Sequence, residues 1–145
     1  MNLNQQIDIQ KYLPHRVPML MVDRIVELNP EKVVTSFKIE RENIFLQGGR
    51  LSETGLIEHA AQTCSSILGQ QFFIESDNKK VIGYITSIKQ IELIKLPGQG
   101  DEVISRASLI SMFGNICHIY CETFSNEELL LKTDINLLIQ EVQVS

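Results

Sequence analysis

One segment constrains the fold more than any other. From Ser52 or Thr54 to about Phe73 the chain carries a long helical pattern, set among segments that otherwise read as β. Leu56, Ala60, Cys64, Ile67 and Gln71 run down one side of it, with Ile57, Ala61, Leu68 and Phe72 beside them. Ser52 and Thr54 both suit an N-cap, and Glu53 suits the positive end of the helix dipole. The apolar surface is wide, and Gly55, Ala60, Ala61, Ser65, Ser66 and Gly69 keep it thin. A helix apolar over so much of its surface is one that other structure wraps around.

The remaining segments supply the wrapping. A short helix is predicted over Gln5–Tyr12, stopped by Pro14 and Pro18. Strands are predicted at Met19–Leu28 and Val33–Glu40, around an Asn29–Lys32 turn. After Asp77–Lys80 come further strands at Val81–Leu96, Glu102–Met112, Ile116–Ser125 and Glu128–Gln140. Pro97–Asp101, Phe113–Asn115 and Ser125–Glu127 read as the turns between them. Consecutive hairpins imply an antiparallel sheet, and one long helix is available to cover one face. The expected class is α+β, a single domain over residues 1–145 with the sheet curled round the helix.

Bulk chemistry narrows the function classes. The net charge is −5, so the basic face of a nucleic-acid binder is not expected. No apolar run approaches the ~18 residues of a membrane span. The N-terminus lacks the basic and apolar regions of a secretory signal, and a cytoplasmic location is expected. Three cysteines, an odd number, argue against a disulfide scaffold. Cys117 and Cys121 fall on one face of a strand and His118 on the other, so no metal site is expected from them.

The run Leu13–Arg24, the approach Ile44–Gly48, the pair Glu58 and Gln62 four apart, and the turn Leu96–Asp101 follow one another in order. Together they resemble the 3-hydroxyacyl-acyl-carrier-protein dehydratases of fatty-acid synthesis, over about residues 9–139. The resemblance implies the hotdog fold, an antiparallel sheet on a long helix, working as a dimer with two sites at the interface. It implies a histidine and a helix carboxylate sharing the proton work from opposite subunits. It implies an acyl thioester substrate, carried on the phosphopantetheine of acyl carrier protein or on coenzyme A, and no other cofactor. Where that family has Gly-His-Phe-Pro, this chain has Gly48-Gly49-Arg50-Leu51, and the loop before the helix is shorter. The departure resembles a divergent subgroup, the dehydratase-like proteins of aryl polyene or flexirubin-type pigment synthesis, which keep the helix acid and lack the histidine.

Dehydration needs a base for the C2 proton, an acid for the departing hydroxyl and donors for the thioester oxygen. Glu58 is the candidate catalytic group; apolar neighbours would disfavour its charged form. It reads equally as a hydrogen-bonding residue at the helix start. Gln62, one turn on, is a candidate to orient that carboxylate or contact substrate. Gly55 is a candidate oxyanion donor or a glycine kept for shape. Gly48 and Gly49 are candidates to let an acyl or pantetheine arm pass against backbone, or form a plain turn. His59 is rotated ~100° from Glu58 round the helix, which makes joint action hard. The resemblance makes His15 structural, and His118 reads as a packing or surface residue. Arg50 is a candidate for a carrier phosphate or a solvated side chain, and Asp23 a structural acceptor.

Three functions fit: a dehydratase-type enzyme using Glu58, alone or completed by a histidine-bearing partner in a heterodimer; a thioester hydrolase using Glu58 with water; or a non-catalytic subunit binding acyl carrier protein or a dehydratase. The partners expected are therefore an acyl carrier protein or acyl-CoA and a second hotdog subunit, in a homodimer or heterodimer.

Overall fold

The described residues of the computed structural model are 7–13, 15–72 and 79–143. The long helix, α1, spans Glu53–Phe72. Ser52 is its cap: the Gly55 N–H donates to Ser52 Oγ at 3.2 Å, filling one of the donors a helix start leaves open. Leu56, Ala60, Cys64 and Ile67 are fully buried and Ala61 nearly so, the stripe expected from the spacing. Leu68, Gln71 and Phe72 lie outside the described side chains.

The sheet is built from β1 (Arg24–Asn29), β2 (Lys32–Lys38), β5 (Lys79–Leu93), β6 (Glu102–Phe113), β7 (Ile116–Ser125) and β8 (Glu128–Gln143). Its order is β1-β2-β6-β7-β8-β5, and every pairing is antiparallel. The alternation of β7 shows how the sheet meets the helix. Cys117, Ile119, Cys121 and Thr123 point inward and are fully buried, while His118, Tyr120 and Glu122 lie on the outer face. Leu131, Ile135 and Leu137 of β8 and Val103 and Ala107 of β6 complete the inner layer against α1. Each fully buried leucine or isoleucine contributes ~1.5–3 kcal/mol. Hydroxyls in this layer are paired, Thr35 with Thr63 at 2.7 Å and Ser105 with Thr123 at 2.6 Å, so their burial leaves no orphan. The sheet on one long helix is the arrangement expected from the sequence.

Three expectations need correction. The strand predicted over Met19–Leu28 begins only at Arg24. Its first residues find partners elsewhere: Gln62 and His59 of α1 take Met19 O and both backbone groups of Met21, and only from Asp23, whose N–H donates to Ser36 O, does the chain turn to the sheet. The helix predicted over Gln5–Tyr12 is, in its described part, a single 3-10 turn at Ile9–Lys11, capped by the Asp8 side chain on the Gln10 N–H; Gln5 and Gln6 lie outside the described residues, as do Pro14, Phe73 and the Asp77–Asn78 part of the turn. A small hairpin was not anticipated, β3 (Leu46–Gln47) with β4 (Arg50–Leu51). Its two central residues, Gly48 and Gly49, have φ of 59° and 79°. Two successive positive φ angles are what a two-residue type I′ turn requires, and glycine adopts them without strain.

Candidate functional site

Glu58 lies on the second turn of α1, facing the Leu13–Met21 segment. Its side chain is 31% exposed, neither sealed in the core nor free in solvent. Gln62, on the same face four residues on, donates through Nε2 to Glu58 Oε1 at 3.0 Å. The same Nε2 donates to Met19 O at 2.9 Å, and Gln62 Oε1 accepts the Met21 N–H at 2.7 Å. With its side chain buried and its amide so occupied, Gln62 fastens the Met19–Met21 segment to the helix and holds the carboxylate in one orientation.

His59 belongs to the same fastening. Its Nδ1 meets Met21 O at 2.6 Å, and its ring lies 5.9 Å from that of Phe37. It is fully buried, and burial lowers its pKa to about 4, an effect the Met21 hydrogen bond only partly opposes. The ring is therefore neutral at physiological pH and has no route to a substrate. Among the described residues its Nε2 has no hydrogen-bond partner.

His15 is the histidine that approaches Glu58. Its Nε2 lies 3.8 Å from Glu58 Oε1, with the side chain 29% exposed. Burial lowers its pKa; Glu58 raises it and Arg16 lowers it further. Arg16 itself is turned onto the backbone, donating to Leu13 O and His15 O. Sequence reasoning passed over His15 as structural.

The other glycine candidates sit differently. An added Cβ at Gly55 would come within 2.5 Å of Phe45 Cβ and 2.9 Å of Leu51 Cδ1. Close packing of Phe45 against the helix thus accounts for the glycine, and its N–H is already given to Ser52. Gly48 and Gly49 line a cleft of about 450 Å³ with Arg50, Lys95, Pro97, Asp101 and Glu128. Backbone bonds close its wall: Leu51 N–H donates to Pro97 O, and Gln99 N–H to Gly49 O, each at 2.9 Å. Glu58 and Gln62 are not among the cleft's lining residues. Arg50 donates to Leu96 O at 3.2 Å, and Lys95 pairs with Glu128 at 3.2 Å. Asp23 accepts the Lys38 N–H at 2.7 Å, and His118 pairs with Asp134 at 2.8 Å on the outer face of the sheet.

Comparison with known proteins follows the same outline. The family model described as ApeP dehydratase, ApeP-like, matches residues 7–142. The 3-hydroxyacyl-[acyl-carrier-protein] dehydratase FabZ of Syntrophobacter fumaroxidans is 30% identical over 132 residues, covering 88% of each chain. That of Wolbachia pipientis wMel is 31% identical over 140 residues, covering 92% of this chain and 94% of its own. Among solved structures, the dehydratase heterocomplex ApeI:P from Xenorhabdus doucetiae superposes with a TM-score of 0.81 at 18% identity, over 94% of this chain and 93% of that one. A hypothetical thioesterase from Streptococcus pneumoniae, solved with coenzyme A, gives 0.65 at 13% identity, over 84% and 88%. At these identities the structural likeness shows a shared fold.

Proposed function

The chain belongs to the ApeP-like dehydratase family, and on that premise we propose that it dehydrates 3-hydroxyacyl thioesters to 2-enoyl thioesters, with Glu58 moving the protons. One observation carries the reading: a partly exposed carboxylate at the helix start, held by Gln62 and faced by His15 at 3.8 Å. The Gln62 N–H donates to Glu58 Oε1 and holds the carboxylate in place. Gln62 is thereby the positioning residue. The Gly49 position, which by resemblance bears the dehydratase histidine, holds a tight turn instead.

The substrate is a thioester on the phosphopantetheine of an acyl carrier protein or on coenzyme A, within fatty-acid or polyene synthesis. Gly48 and Gly49 leave one wall of the 450 Å³ cleft without side chains, which suits passage of an extended arm. The elimination rearranges protons and one C–O bond, so no redox cofactor enters its balance.

The working unit pairs this chain with a second hotdog subunit, identical or histidine-bearing. The support is β5, one of the two edge strands of the sheet. Tyr84, Ile85, Ile88 and Ile91 are exposed along it, and through two register shifts the three isoleucines fall opposite Leu137, Ile135 and Thr133, on one face of the strand. An uncovered apolar edge strand is a liability unless another strand pairs with it.

The test is enoyl absorbance from a 3-hydroxyacyl thioester, with the purified chain alone and mixed with a histidine-bearing dehydratase subunit. Product in either case, abolished by Glu58→Gln, supports the reading. Free thiol in place of enoyl product identifies a hydrolase. A stable assembly inactive on every thioester, or one unaffected by Glu58→Gln, rejects a catalytic Glu58.

A further inference from the structure

We propose that His15 is the second proton-transfer residue of this site, relaying the proton between Glu58 and the departing hydroxyl within a single subunit. The inference rests on the reading of Glu58 as proton acceptor. Its basis is geometric: His15 and Glu58 come from different segments, yet Nε2 and Oε1 face each other at 3.8 Å, both side chains about 30% exposed. That distance is one small side-chain rotation, or one bridging water, from a hydrogen bond; catalytic contacts are often long before substrate binds.

The rest of the ring's surroundings agree. Among the described residues His15 Nδ1 is buried and has no hydrogen-bond partner, so no described group holds the ring in one tautomer. His59, the histidine adjacent to Glu58 in sequence, is disqualified by contrast: its Nδ1 is tied to Met21 O and the whole side chain is buried. The Met19–Met21 segment that Gln62 and His59 clamp to α1 follows His15 within the same bend, so the clamp sets the position of the imidazole as well as that of the carboxylate. Burial keeps the free imidazole neutral near pH 7, while the facing carboxylate favours its protonated form once a proton arrives.

The steps balance. Glu58 Oε1 takes the C2 proton as the C–H pair moves into the enolate. The proton passes from Oε1 to His15 Nε2. The enolate pair then forms the C2–C3 double bond as the C3–O bond breaks, and Nε2 gives its proton to the leaving oxygen. Water departs, and both residues return to their starting states.

The experiment uses the active assembly defined above. His15→Gln lowers kcat by about 10² or more, the scale of a general acid or base, with KM little changed. His15→Ala regains rate when imidazole is added. By NMR, the His15 ring in otherwise wild-type protein titrates at lower pH after Glu58→Gln, because the opposing carboxylate is gone; this readout requires no change at His15. If Glu58→Gln is inactive while folded His15→Gln keeps the wild-type rate, the relay is overturned and the Glu58 reading stands. Failure of imidazole to rescue a His15→Ala variant that melts like wild type, or an unmoved His15 titration, overturns it too. Wild-type rates in Glu58→Gln reject the underlying reading instead.

Discussion

Two regions flank the start of α1, and they are held together by opposite means. On one side, the Met19–Met21 segment is bound to the helix by side chains: Gln62 makes two hydrogen bonds to it and His59 a third. On the other, the Gly48–Leu51 hairpin is bound to the Pro97–Asp101 turn by backbone, through Leu51 to Pro97, Gln99 to Gly49 and Gly98 bridged to Arg50. Side-chain bonding brings titratable groups together, and there Glu58 and His15 meet. Backbone bonding shapes a wall, and there glycines line a cleft. Chemistry is thus assigned to the first region and shape to the second.

The largest effect expected from this division is kinetic. Glu58→Gln removes the proposed proton-transfer group and should lower kcat by about 10²–10⁴. Arg50→Ala in the hairpin wall, whose guanidinium is bonded to Leu96 O, should leave kcat at the wild-type level. Comparable kcat losses in both would erase the distinction.

The second effect is on stability against acid. His59 titrates near 6.5 when unfolded and about 4 when folded. Above pH 6.5 neither state takes a proton, and stability is undiminished. As pH falls from 6.5 toward 4 the unfolded chain binds a proton that the folded chain does not, and stability is lost by up to ~3 kcal/mol, at 1.36 kcal/mol per pH unit. Urea midpoints at pH 7 and pH 4.5 measure it. His59→Gln should lower stability at pH 7 and flatten the acid dependence relative to wild type; an unchanged slope would break the account of the clamp.

A third, smaller effect follows at Gln62. Gln62→Ala leaves the buried Met21 N–H without its acceptor, costing ~1–3 kcal/mol, and frees the carboxylate. Thermal melting and kcat should fall together. In the shape region they should separate: Gly49→Ala puts a side chain at φ 79°, costing ~1–2 kcal/mol while kcat holds.

The same contrast explains what was legible in the sequence. The helix and four later strands follow from local periodicity, and the Ser52 cap and the buried stripe appear where that pattern sets them. The Met19–Asp23 stretch, rich in methionine and valine, imitates a strand. Its true partners are 41 and 38 residues away in Gln62 and His59, and no local pattern reports them. The approach of His15 to Glu58 was hidden for the same reason, since it depends on that bend being clamped. Gly48 and Gly49 advertised a turn, yet which cleft they line was set by the distant Pro97–Asp101 segment. Gly55 suggested an open N–H; the packing of Phe45 and the Ser52 cap give it a different reason to be glycine.

The most direct measurement is deuterium wash-in at C2 of a 3-hydroxyacyl thioester incubated in D₂O with the active assembly, followed by mass spectrometry. The account predicts incorporation with wild type, loss of it with Glu58→Gln, and wild-type incorporation with Arg50→Ala. Incorporation at the wild-type rate in Glu58→Gln would contradict it, because the C2 proton would then be leaving to some other base.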